Sequence, residues 1–329
     1  MDRISQKAQA AELKKRFHGR TEAKSKYTPK YPASVERDYL RLMNHLISEG
    51  MRSALQENMA ELLEVLRYAE TTERAERADA KSQKEKNKEK RSLAGAVTLG
   101  EVAPRLKSVM DKIAAKLESV FGLNELTRRL RLIANANRKL TIKEWKKAIG
   151  RTLGINILDD FYDGAFYEGI LEQWVKDNVD LIKTIPHDTL GRMQEVVLKS
   201  YLDGKSVTEI AKDIQKEYRT TKSHARLLAR DQVGKLNAQI TKHQQESAGV
   251  KKYIWRTAGD GRVRDSHREL NNTPHSWDDP PVVDAKTGRR AHPGEDYQCR
   301  CVALPVFDFE DLDIPADGRQ RTDQKGKST

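Results

Sequence analysis

Between Tyr253 and Pro305 the chain reads YIWRTAGDGRVRDSHRELNNTPHSWDDPPVVDAKTGRRAHPGEDYQCRCVALP. Glycine and proline recur there too often for a long helix, and the apolar runs are too short for a wide sheet. The stretch holds both cysteines, three of the eight histidines and five of the ten prolines. A segment of this kind folds as a small loop-rich unit with few strands, where side-chain chemistry must supplement a thin apolar core. Val250, Tyr253, Ile254 and Trp255 suit a strand, GDG at 259–261 suits a turn, and CVALPV at 301–306 suits a second strand.

The remainder reads as helix. Leu40, Met43, Ile47, Met51, Leu55, Met59, Leu62 and Leu66 recur in steps of three and four, which marks one face of a long amphipathic helix entered near Ser34. Pro104 suits a first helical turn, and Leu106, Val109, Ile113, Leu117 and Val120 form the next face, closed by Gly122. A helix over Leu123–Ala136 is expected to be followed by Thr141–Gly150, where Trp145, Ala148 and Ile149 offer apolar contacts, then by a short broken stretch over 151–166. Pro186 is expected to stop or restart a helix. Ser206 and Glu209 have the spacing of a capping box. A polar turn at Arg219–Ser223 would then divide two helices in the manner of a helix-turn-helix, although core packing of Ala225, Leu228, Val233, Leu236 and Ile240 explains the same pattern.

The fold class that follows is α+β, predominantly helical, with an elongated helical N-terminal body and a small α+β C-terminal module. Residues 1–33 carry nine basic side chains against three acidic ones and read as a flexible basic arm. A helical region follows over 34–150, interrupted by an almost wholly polar linker at 71–92. Helices continue over 151–249, the α+β module spans 250–310, and 311–329 reads as a flexible tail.

With a net charge of +12 and a pI near 9.5, the chain suits a polyanionic neighbour, which points to sequence-blind contact with nucleic acid. No apolar run is long enough to span a membrane, and the first residues lack the apolar core of a secretory signal. Two cysteines separated by one residue do not make a disulfide framework and suit a reducing cytoplasm. Neither a Walker-type phosphate loop nor a dinucleotide fingerprint is present. The exposed Met/Leu face of the long helix suits a partner or self-association.

Four side chains in the C-terminal stretch have the chemistry of a structural zinc site: His267, His292, Cys299 and Cys301. Imidazole nitrogen and thiolate sulfur match zinc's borderline-soft character, although Cys-x-Cys is a tighter bite than the usual Cys-x-x-Cys. The bland alternative is a pair of buried reduced thiols beside ordinarily hydrogen-bonded histidines. A catalytic alternative also exists, because His267, His275, His292, Asp260 and Asp265 contain the ingredients of a metal-dependent nuclease. A Cys–His nucleophilic pair lacks an evident third group to orient it.

YIWRTAGDGRVRDSH, SWDDPP and HPGEDYQCRC, taken together, resemble the C-terminal signature of the Mu F-like phage minor head proteins, also called head morphogenesis proteins. WVKDNVDLIKTIP and ARLLARDQVGKLNAQI resemble the same family, so that the likeness covers Trp174–Phe307. It implies a non-enzymatic virion component, made in the host cytoplasm and carried in the head. Its implied partners are the portal protein, the major capsid protein and packaged double-stranded DNA, and its implied role is in head assembly and DNA packaging or delivery. His267, His292, Cys299 and Cys301 fall on positions that recur in the family. Asn271–Asn272 departs from the glycine often found after the preceding leucine, and asparagine tolerates the left-handed turn required. Some relatives carry an added toxin-like domain, and the short stretch after Phe307 implies none here. The readings that compete with a head protein are a DNA-binding protein with a zinc-stapled module and the metal-dependent nuclease.

Overall fold

The computed structural model describes residues 6–50, 52–58, 60–65, 67–68, 104–116, 119, 122–157, 164–203, 205 and 207–314. The linker at 71–92, the capping residue Ser206 and the tail beyond 314 lie outside the described residues. The fold is α+β and predominantly helical. Its chain divides into two compact units.

One unit comprises Leu40–Arg129 and Asp177–Arg226. Met43, Ile47 and Leu62 are buried in it as the three-four spacing requires. The first helix of that run, Ala33–His45, gives way to a π-helical turn over Leu46–Gly50. The wider turn advances the buried face by one residue, so Leu46 and Ile47 are both buried. Leu106, Val109 and Ile113 are fully buried from the helical stretch 104–116, which starts at Pro104. Lys112 and Lys116 reach across to Glu61 and Glu57.

The other unit comprises Met1–Tyr39, Leu130–Lys176 and Leu227–Thr329. Residues read as a flexible basic arm instead form helix α1, Gln6–Arg16, and strand β1, Glu22–Lys24. The reason is that α1 hides Ala10 and Leu13, and its Gln9 exchanges hydrogen bonds with the backbone of Ile314 in both directions. Phe17 packs its ring on Phe309.

Helix α2 is Ala33–His45, and three long helices follow: α3, Leu123–Leu153; α4, Gly164–Leu202; and α5, Val207–Ser247. Each corrects an expected break. In α3 the helix predicted to end near Ala136 runs on to Leu153, because nothing between Ala136 and Thr141 is a glycine or proline. Asn137, a poor interior residue, is buried with its amide on the Val233 carbonyl and with Thr141 bonded back to its own. Helix α4 runs through Pro186, which removes one hydrogen bond from the ladder without ending it. Helix α5 runs through Arg219–Ser223, a polar stretch that lacks any residue needing a positive φ, so the helix-turn-helix reading fails.

Helix α5 stops where Gly249 adopts φ 76° and the Val250 amide bonds back to the Gln245 carbonyl. A Cβ at Gly249 would stand 1.9 Å from the Asp311 carbonyl oxygen, so only glycine fits. Beyond it come β2, Lys252–Arg256; a short helix α6, Asp265–Glu269; β3, Pro274–Ser276; β4, Val282–Asp284; β5, Arg289–Arg290; and β6, Val302–Asp308. A four-stranded sheet has the order β1-β6-β2-β3, all neighbours antiparallel, while β4 and β5 form a separate ribbon. Pro305 sits in an inner strand, at the end of the β1 ladder, where its missing N–H costs least. Trp145 of α3 lies 6.0 Å from the Phe307 ring, and Trp277 donates its indole N–H to Gln245 of α5. The sheet module is thereby seated on the helices of its own unit.

Candidate metal centre

Three of the four residues singled out as ligands come together. His267 stands in the middle of α6, and Cys299 and Cys301 stand on the chain entering β6. Each sulfur lies 3.6 Å from His267 Nδ1, and all three donor atoms fall within 4.8 Å of one another. The residues are 2%, 5% and 6% exposed. A tetrahedral ion with bonds of about 2.3 Å to sulfur and about 2.0 Å to nitrogen places such atoms about 3.5 Å apart, so the cluster could bind a metal.

The tight Cys-x-Cys bite works because of the loop before it. HPGEDYQ makes two successive turns, with Glu295 N–H donating to the His292 carbonyl and Cys299 N–H donating to the Asp296 carbonyl. Gly294, at φ 88°, lets this loop press on Ala238 of α5, where a Cβ would come within 2.9 Å of that methyl. Gln298 takes φ 52° and donates its amide to Asp231. Between the sulfurs, Arg300 turns away and bonds both oxygens of Asp260 at 2.7 Å, which ties the cysteine loop to the GDG turn.

The sulfurs are surrounded by donors. Amides of Gly294 and Cys301 point at Cys299 Sγ, each at 3.4 Å. Cys301 takes a backbone hydrogen bond from Ala258 and faces the indole of Trp255, whose buried N–H has no oxygen or nitrogen partner. Donors without acceptors other than sulfur suit thiolates. The Cys301 thiol donates to Cys299 and His267 adds its charge, which together hold Cys299 well below the ordinary thiol range despite burial. Cys301 is pushed up in turn by its anionic neighbour and by burial. Burial disfavours the His267 imidazolium, but the Cys299 thiolate and the Asp296 carboxylate outweigh it and raise its pKa. A metal ion would displace these protons and take over their role.

Asp296 is the residue that the sequence reading missed. Its side chain is 1% exposed, and its oxygens accept from His267 Nε2 at 3.0 Å, Arg264 at 3.1 Å and Arg289 at 3.0 Å. A carboxylate behind the imidazole fixes which nitrogen faces the sulfurs, the usual arrangement behind a ligating histidine. The available signal was the lone aspartate between HPG and QCRC, the nearest acid able to satisfy the far nitrogen of His267.

His292 does not join the cluster. Its Nδ1 lies 2.9 Å from the Tyr253 hydroxyl, and its ring stacks edge-on to Trp277 at 4.8 Å. Burial pushes the tyrosine up and the histidine down, so both stay neutral and the hydroxyl donates to the imidazole. The nuclease ingredients are likewise dispersed. Asp260 pairs with Arg300 and Arg262, Asp265 is exposed beside Arg268, and His275 bonds Thr273. Asn272 does hold the left-handed turn, at φ 67°, with its amide on the Trp255 carbonyl.

Residues 192–304, which contain the whole cluster and Asp296, match the family described as Phage Mu protein F like protein. The chain carries a Mu F-like segment. Over 131 residues it is 39% identical to a Haemophilus influenzae protein described only as uncharacterized, a stretch covering 40% of this chain and 28% of that relative. No solved structure matches the chain. Among the described residues no helix is long and apolar enough to cross a membrane.

Proposed function

We propose that this chain is a phage minor head protein, a structural component of the virion head. It associates with the portal and the capsid interior and serves head assembly and the packaging or delivery of DNA. The observation that carries this is the Mu F-like match, whose residues coincide with the densest chemistry of the fold. In this reading the buried His267, Cys299 and Cys301 hold zinc as a staple. The ion would supply cross-linking energy to a sheet module with few strands, and Asp296 would orient the histidine. Burial of all three donors favours a structural over a catalytic role, and the scatter of Asp260 and Asp265 away from them gives a nuclease no support.

Quantitative mass spectrometry of gradient-purified heads tests the proposal. Presence at a few copies per head after a high-salt wash is expected, and absence from the heads overturns it. The zinc staple has its own test in elemental analysis of the purified chain. One zinc per chain, lost in both Cys299→Ser and His267→Ala but kept in His292→Ala, is the expected pattern, and a metal-free wild type removes the staple.

A further inference from the structure

The C-terminal half of helix α3 carries a basic concavity. Lys139, Lys143, Lys146, Lys147 and Arg151 line one open groove along about 18 Å of helix, from position 139 to position 151. Arg151 also lines a second groove, together with Arg20, Lys24 and Lys26 beside strand β1, so its guanidinium belongs to both. Of the residues lining both, the single acid is Glu22. The nearby Glu144 is turned inward, where it accepts from Tyr27, the Lys30 amide and Lys147.

What distinguishes this face from an ordinary solvated one is the pairing. At the other end of the same helix, Arg128 and Arg129 both bond Glu125, and Arg131 bonds Glu172 at 2.8 Å. Lys139, Lys143, Arg20 and Lys26 have no carboxylate partner among the described residues. Cations gathered in a concavity with few counter-charges, Glu22 near Lys24 and the inward Glu144 on Lys147, repel one another and are relieved by an external polyanion. Neither aromatic ring in the lining is free to stack on bases: Tyr27 is covered by the Arg151 guanidinium, 4.6 Å from its ring, and Phe17 packs on Phe309. The geometry points to the phosphodiester backbone of duplex DNA as the ligand of this groove, gripped without regard to sequence. The choice of duplex rests on the head-protein reading, while the phosphate chemistry stands on the groove alone.

The test uses the full chain and a labelled duplex of mixed sequence, about 30 base pairs long, titrated across a range of salt. Each phosphate contact contributes a slope of about −0.9 to log K against log salt. Replacing Arg20, Lys26, Lys139 and Lys143 with glutamine is expected to make that slope shallower by about three to four. Binding at about 0.1 M salt should weaken at least about a hundredfold. The control replaces Arg128, Arg129 and Arg131 with glutamine and is expected to change binding by no more than about fivefold. An unchanged thermal melt confirms that the groove variant is folded. Equal losses in both variants would mean that net charge, not this groove, binds DNA, and that overturns the assignment. So does a groove variant that keeps its affinity for DNA but no longer enters heads, since the face would then dock an acidic protein. The duplex titration needs no heads, so its failure and that of the head-protein reading are separable.

Discussion

The long helices and the sheet module over 252–308 solve the same problem by different means. Helix α3 hides Leu130, Ile133, Asn137, Thr141, Trp145, Ile149 and Leu153 in steps of three and four, so its stability is spread along a largely apolar stripe. The module also has an aromatic core, with Tyr253, Trp255 and Trp277 buried beside Ala303. Its loops, however, converge on polar groups: Asp296 with two arginines and a histidine, Asp260 with Arg300, and Tyr253 with His292. An apolar stripe tolerates loss at one position by partial collapse. A buried carboxylate shared by three partners leaves the buried His267 without its acceptor when it goes, while the two part-exposed arginines can turn to solvent.

Substitutions at three positions bear on that contrast. Leu130→Ala, at a fully buried position, should cost about 3 kcal/mol through the cavity it leaves, with an unchanged denaturant slope. Asp296→Ala should cost about 2 to 3 kcal/mol, discounted because Arg264 and Arg289 can turn to solvent, whereas Asp296→Asn should cost about half as much. Urea unfolding separates them, and equal losses in Ala and Asn would show that charge, not hydrogen bonding, organises the loop. The smallest effect is expected from Asp260→Asn. Hydrogen bonds from Arg300 hold the Asp260 carboxyl at about 2, against an ordinary value of 3.8. Its folded-state pKa is depressed, so its contribution is present above the ordinary value and lost as pH falls toward 2. The melting difference between wild type and variant should therefore be larger at neutral pH than at about pH 3, and a difference independent of pH would remove the ion pair from the account.

The stripes were legible because burial of a helix face imposes a period on the sequence, and Leu106, Val109 and Ile113 needed no other information. Helix ends were not. Arg219–Ser223 and Pro186 look like punctuation locally, and only packing along the whole helix overrides them. In the module the strands over 252–256 and 302–308 were readable from β-branched and aromatic runs. His267, Cys299 and Cys301 were readable as a chemical set, but His292 has the same chemistry and a different neighbour. Which histidine faces the sulfurs is decided by Asp296 and Tyr253, through turns whose geometry no residue type announces by itself. Residues 6–24 were misread because their few apolar side chains find their partners almost 300 positions away.

That last pairing has a consequence for how the protein is made. Strand β1, at 22–24, can join the sheet only through β6, at 302–308, because β6 stands between it and β2. A ribosome that has released β1 must reach β6 before the strand's neighbour emerges. The described helices of the other unit, whose last residue is Arg226, have been translated by then. Completion of the four-stranded sheet thus waits for β6, and a chain interrupted before Val302 leaves β1 without the strand it pairs with.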